Sequence, residues 1–216
     1  MKTNILTSGF PYGFTEAFIT AVEQSLDRRD QFVFVASDFR VHDRTAYYMD
    51  LFLGMFREQG IVFGEAHIVD YECTPEQART WIADSDVVWL AGGPTLTQID
   101  HIREYGLIDS LRQRDGLTIG MSAGSINMAD WVVFESKQSR GLTEIGMYEA
   151  IGLVEINIEP HINEADKKRL AQIRKFAQDG PILGLHDDAF VVERSGQIEI
   201  FGTYEWFGEH DRDISN

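Results

Sequence analysis

An α/β fold, a three-layer arrangement of a mostly parallel sheet with helices on both faces, is predicted by three features of this 216-residue chain. Short β-branched or apolar runs alternate with amphipathic segments from the N-terminus onward, the pattern of strand–helix–strand units. The run Leu117-Thr118-Ile119 leads straight into Gly120-Met121-Ser122-Ala123-Gly124, a Gly-x-Ser-x-Gly strand-to-helix turn. A second run, 86–91, ends in Gly92-Gly93. In such sheets ligands bind beyond the carboxyl ends of the strands, so both glycine-rich ends belong to one site.

Residues 4–7 and 31–37 are the first two strands, and between them 15–26 places Phe18, Ile19, Val22 and Leu26 at helical spacing. A second helix is expected over 44–59, with Asp43 as N-cap and Gly60 as its stop, before a third strand at 62–69. Thr74-Pro75-Glu76-Gln77 opens the next helix with a capping threonine, a proline at the first helical position and a glutamine closing the capping box. The fourth strand, 86–91, leads to a helix or helix pair over 96–114, broken near Gly106, and then to the strand 117–121. Beyond Ser122 the pattern loosens: 132–134 is a short apolar piece and 136–141 is polar and loop-like. A strand at 152–158, a helix at 164–178 and a strand at 182–185 come next. Segments 189–193 and 197–201 flank Arg194-Ser195-Gly196 as a C-terminal β-hairpin, and the charged tail from Glu209 is expected to fray.

The length fits one catalytic domain over 1–216, burying roughly 70% of its unfolded surface without metal or disulfide staples. A net charge of −16 repels phosphate backbones and anionic lipid, which argues against nucleic-acid and membrane partners. No run approaches a membrane span or a signal peptide, so a cytoplasmic location is expected. Cys73, the one cysteine, excludes an internal disulfide. Its acidic neighbour Glu72 disfavours a thiolate, so Cys73 reads as structural.

The serine turn suits a nucleophile. It pushes the Ser122 hydroxyl into solvent and aims the amides of the following helix at whatever that hydroxyl attacks. A serine needs a base, and of the six histidines His161, after a strand and stiffened by Pro160, is preferred over His186. The imidazole in turn needs an acid. Glu135, thirteen residues past the serine behind an apolar piece, is preferred, with Asp130 and Asp187 as alternatives. The backbone amides of Gly93 and Ala123 are the expected oxyanion donors. No cofactor is expected, and His186-Asp187-Asp188 lacks the second ligand that a metal site requires.

Gly92-Gly93-x-Thr95, Gly120-x-Ser122-Ala123-Gly124, Pro160-His161 and Gly184-x-x-Asp187-Asp188-Ala189 together resemble the dipeptidase E and cyanophycinase family of serine peptidases. The resemblance spans roughly 87–192 and implies a class I glutamine-amidotransferase-like, flavodoxin-like sheet with serine in place of cysteine at the elbow. It also implies Ser122 as nucleophile, His161 as base and cleavage of very short peptides by a monomer or homodimer. Two departures stand out: Pro94 replaces the family's asparagine, and no aspartate falls where one version of the triad acid would stand, which leaves Glu135. Aspartyl dipeptidases hold the substrate carboxylate with an arginine beyond the histidine. The nearest candidates for that role are Lys167, Lys168 and Arg169, and the expected substrate-binding residues are Arg169, Asp187 and Asp188. The competing readings are an α/β-hydrolase-type esterase and a catalytically silent small-molecule-binding member of the same fold.

Overall fold

Five parallel strands carry most of the apolar runs. The computed structural model describes residues 2–137 and 143–209, the side chains of 134–137 and 143–145 excepted. In it β1 (Thr3–Thr7), β2 (Gln31–Val35), β3 (Glu65–Val69), β4 (Val87–Leu90) and β5 (Leu117–Met121) lie in the spatial order β1-β5-β4-β2-β3. All four pairings among them are parallel. The hairpin β10 (Phe190–Arg194) and β11 (Gln197–Phe201) adds to β1 with antiparallel pairing and completes a seven-stranded sheet. Gly120 of β5 stands opposite Leu6 of β1 and Leu90 of β4. That register brings the segments after all three strands out along one edge.

Successive strand residues face opposite sides, so each run buries two different sets of side chains. Phe32, Phe34, Trp89 and Ile119 face α1 (Glu16–Ser25) and α2 (His42–Glu58), packing on Phe18, Val22, Phe52 and Phe56. Val33, Val35, Val88 and Leu90 face the other way, onto Ala78 and Ile82 of α3 (Pro75–Asp84), Ile99 and Ile102 of α4 (Thr95–Glu104) and Leu111 of α5 (Ile108–Gln113). The helix pair is split at Gly106, whose φ of 63° ends the first helix in the left-handed region. The expected capping box forms at Thr74 and Gln77. Helix α2 starts at His42 rather than Arg44, with Val41 at its cap position and no side-chain bond there.

Three further departures lie beyond Ser122. A hairpin of β6 (Trp131–Lys137) and β7 (Thr143–Glu149) stands where a short apolar piece and a loop are expected, so Ser136 and Lys137 are strand residues. The rest of that loop, 138–141, and the tail beyond Glu209 lie outside the described residues. The expected strand at 152–158 shrinks to β8 (Asn157–Glu159), because Leu153 and Val154 turn their amides onto the Met128 carbonyl instead of a ladder. A small second sheet pairs β8 in parallel with β9 (Ile182–Leu185), and β12 (Tyr204–Phe207), which the sequence pattern does not announce, flanks β9. Helix α7 (Lys167–Phe176) covers part of this sheet through Ile173 and Phe176. The result is an α/β fold with a large, mostly parallel sheet, helices on both faces and a C-terminal hairpin.

Candidate active site

Between β5 and the short helix α6 (Ala123–Ile126) the chain turns through Ser122, whose φ of 51° and ψ of −111° lie outside the ordinary regions. Such a conformation costs about 1–3 kcal/mol and persists only where its surroundings hold it. Here they do: the Ser122 amide donates to the Thr7 carbonyl at 3.0 Å. Ser125 Oγ donates to that same carbonyl at 2.8 Å and accepts the Thr7 amide at 2.9 Å. The flanking glycines are required by space. A Cβ on Gly124 would stand 2.2 Å from the Leu90 carbonyl oxygen, and one on Gly120 would stand 2.6 Å from the Ser125 amide.

His161 and Asp187 lie just past the carboxyl ends of β8 and β9. Parallel pairing of Glu159 with Gly184 sets those two ends side by side. The imidazole Nδ1 lies 2.6 Å from Asp187 Oδ1 and Nε2 lies 2.9 Å from Ser122 Oγ. With Nδ1–H donated to the carboxylate, Nε2 is left to accept the serine hydroxyl. His161 is also held at a φ of 58°, a rare value for a residue with a Cβ. Ser8, at the end of β1, ties the pair together: its hydroxyl donates to Asp187 Oδ1 at 3.2 Å and accepts the His161 amide at 2.7 Å. Sequence reasoning missed Ser8. Its only signal is a position just past a strand's carboxyl end.

The structure brings Ser122 and His161 together and corrects the choice of acid. The carboxylate on the imidazole is that of Asp187, named from the sequence as an alternative to Glu135 and also expected to bind substrate. Glu135 lies on β6 opposite Ile145, in the hairpin rather than on the small sheet that carries the histidine. Arg169 is not brought to the serine either. Its Nε donates to Glu159 at 3.0 Å, and it lines a separate cleft of about 590 Å³ with Trp131 and Met147. Burial pushes the Glu159 carboxyl up, against the pull of Arg169. Asp188, at a φ of 72°, gives its amide to the Gly9 carbonyl at 3.0 Å and is not on the walls of the Ser122 cleft.

The Gly92-Gly93 loop sits against the serine: a Cβ on Gly92 would lie 3.3 Å from Ser122 Cβ. Gly93, at a φ of 147°, has Ser37 Oγ 2.2 Å from where its own Cβ would be, so only glycine fits there. Buried polar side chains hold this loop to α6. Asn127 Nδ2 donates to the Thr95 carbonyl and to Gln98 Oε1, and Gln98 Nε2 donates to the Ala91 carbonyl. The amides of Gly93 and Ala123 have no acceptor among the described residues, which leaves both available to an incoming oxygen. Ser122, His161 and Asp187 open onto a cleft of about 550 Å³ whose walls are largely aromatic and aliphatic.

Among the described residues no group of three or more His, Cys, Asp or Glu side chains is placed to hold a metal ion. Cys73 is buried, and that burial pushes its thiol up, away from a reactive thiolate. No helix among the described residues is long and apolar enough to cross a membrane.

Comparison with known proteins agrees with this architecture. The model for peptidase family S51 matches residues 6–201. The chain is 26% identical over 133 residues to Peptidase E of Citrobacter koseri, an alignment covering 56% of this chain and 57% of that protein. The matched part thus spans little more than half the relative's length. The crystal structure of a peptidase from an acI-B1 Actinobacterium superposes with a TM-score of 0.71 at 15% identity, covering 98% of this chain and 96% of that one. That of a Listeria monocytogenes protein described as a putative Peptidase E gives 0.67 at 17% identity, covering 93% and 98%. At these identities the two structures speak for the fold, while the family match extends from within β1 to the end of β11. The chain belongs to peptidase family S51.

Proposed function

We propose that this protein is a serine exopeptidase that hydrolyses short peptides through an acyl-enzyme on Ser122. The observation that carries the reading is the unbroken hydrogen-bond chain from Ser122 Oγ through His161 to Asp187, opening onto a cleft beside two free amides. Ser122 Oγ attacks the scissile carbonyl carbon while His161 Nε2 takes its proton, and the carbonyl oxygen becomes an oxyanion facing the Gly93 and Ala123 amides. The imidazolium, steadied by Asp187, returns that proton to the departing amine, leaving an ester on Ser122. Water then repeats the sequence and releases the acid. Asp187 is thereby assigned as the acid in place of Glu135.

Family membership and similarity to a protein named Peptidase E support peptide bonds as the target. A cleft of about 550 Å³ matches a ligand of a few residues rather than a long chain. Ser122→Ala should lower kcat/KM on short peptides by at least about 10⁴-fold with an unchanged circular dichroism spectrum, since members of such a unit fail together. A loss below about tenfold would defeat the assignment.

A further inference from the structure

The Ser122 cleft has two chemically distinct walls. Helix α2 contributes Arg44, Tyr48, Leu51 and Met55, spaced i, i+4, i+7 and i+11 and so presented along one face. Tyr48 and Leu51 remain 44% and 43% exposed there, large apolar groups facing the cleft without cover. Arg44 has no carboxylate partner among the described residues. Among those residues it is the only lysine or arginine on these walls, and Asp187, already bonded to His161, is the only carboxylate. Arg169 cannot serve this cleft, being paired with Glu159 in the other one.

We propose that Arg44 is the specificity residue of this cleft: it receives the free α-carboxylate of a short peptide whose large apolar side chain packs on Tyr48, Leu51 and Met55. This rests on the peptidase reading above and names its substrate class. A peptide small enough for about 550 Å³ brings its own chain end into the cleft. The net charge of −16 makes the surroundings unfavourable for that anion, so an unpaired guanidinium is what admits it. A guanidinium binds a carboxylate through two parallel N–H bonds, a geometry that a neutral amide cannot reproduce. The apolar wall gives no partner to a second charge, which selects against acidic side chains.

Binding to the Ser122→Ala protein tests this without turnover, by calorimetry with phenylalanyl-leucine, its C-terminal amide and aspartyl-leucine amide. The free acid should bind at least about tenfold tighter than its amide, the scale of a charge-assisted hydrogen bond. Adding Arg44→Gln should shrink that ratio below twofold, while Arg44→Lys retains part of it. Equal affinity for acid and amide, or a ratio indifferent to Arg44→Gln, overturns the proposal. So does tighter binding of aspartyl-leucine amide than of phenylalanyl-leucine amide. Failure of the peptidase reading is separate and shows as hydrolysis that survives Ser122→Ala.

Discussion

Replacing Asp187 with asparagine keeps the side chain's size but removes the charge that faces the imidazole. The carboxylate oxygen is 2.6 Å from His161 Nδ1, and the side chains are 50% and 48% exposed for histidine and aspartate. A carboxylate and an imidazolium with charges about 4 Å apart attract by roughly 4 kcal/mol at an effective dielectric near 20. Half exposure to water lowers this, leaving about 2–3 kcal/mol of lost transition-state stabilisation, or roughly 30- to 150-fold in kcat. A second effect adds to it. The asparagine amide can donate to Nδ1 and force the proton onto Nε2, which then cannot accept the serine hydroxyl. Trapping that tautomer brings the loss toward about 10⁴-fold. The assay is steady-state hydrolysis of a short peptide by Asp187→Asn and, in parallel, Glu135→Gln, with circular dichroism to check folding. The expected result is a loss of about 10²–10⁴ for Asp187→Asn and less than about threefold for Glu135→Gln. The reverse order would return the acid to the hairpin and refute the reading of the small sheet.

Three other perturbations probe the same geometry. Gly93→Ala places a Cβ 2.2 Å from Ser37 Oγ at a φ of 147°, so kcat should fall about 10²–10³-fold as the amide moves. Adding Ser37→Gly should restore only part of it, and a single variant within twofold of wild type would remove Gly93 from the oxyanion role. Ser8→Ala leaves the His161 amide and Asp187 each short of a partner, and should lower kcat roughly tenfold with little change in KM. An unchanged kcat would make Ser8 merely structural. His42 lies 2.7 Å from the buried Asp70, and that hydrogen bond raises the imidazole above its ordinary 6.5. Its stabilisation is therefore complete below about pH 6.5 and fades as pH rises through the raised value. The melting-temperature gap between wild type and His42→Gln should be wide near pH 6 and narrow near pH 9, and a constant gap would contradict the pairing.

The parallel sheet was legible because its signals are local. Alternating faces in Gln31-Phe32-Val33-Phe34-Val35, the capping box at Thr74 and the Gly-x-Ser-x-Gly spacing at the end of β5 can each be read within a few residues. The segments beyond Ser122 read poorly for the opposite reason. The strands β6, β7 and β12 have mixed or weakly apolar patterns and exist through pairings with partners elsewhere in the chain. Steric space at Gly124 and Gly93 is likewise invisible until Leu90 and Ser37 are brought against them.

The serine and the histidine that meet at the cleft could be picked out from the chain alone, since a strained serine turn and a proline-stiffened histidine each carry their own punctuation. The acid could not. A carboxylate has no local signature for orienting a histidine, so the preference for Glu135 over Asp130 and Asp187 has nothing to correct it until a register is set. Pairing Glu159 with Gly184 sets it, delivering the segments after both strands to the same point. Likewise α2's packing, and no motif, turns Arg44 toward the serine's cleft while α7 gives Arg169 to Glu159. Chemistry of single residues is written in the sequence; which of them meet is decided by long-range strand pairing and helix packing.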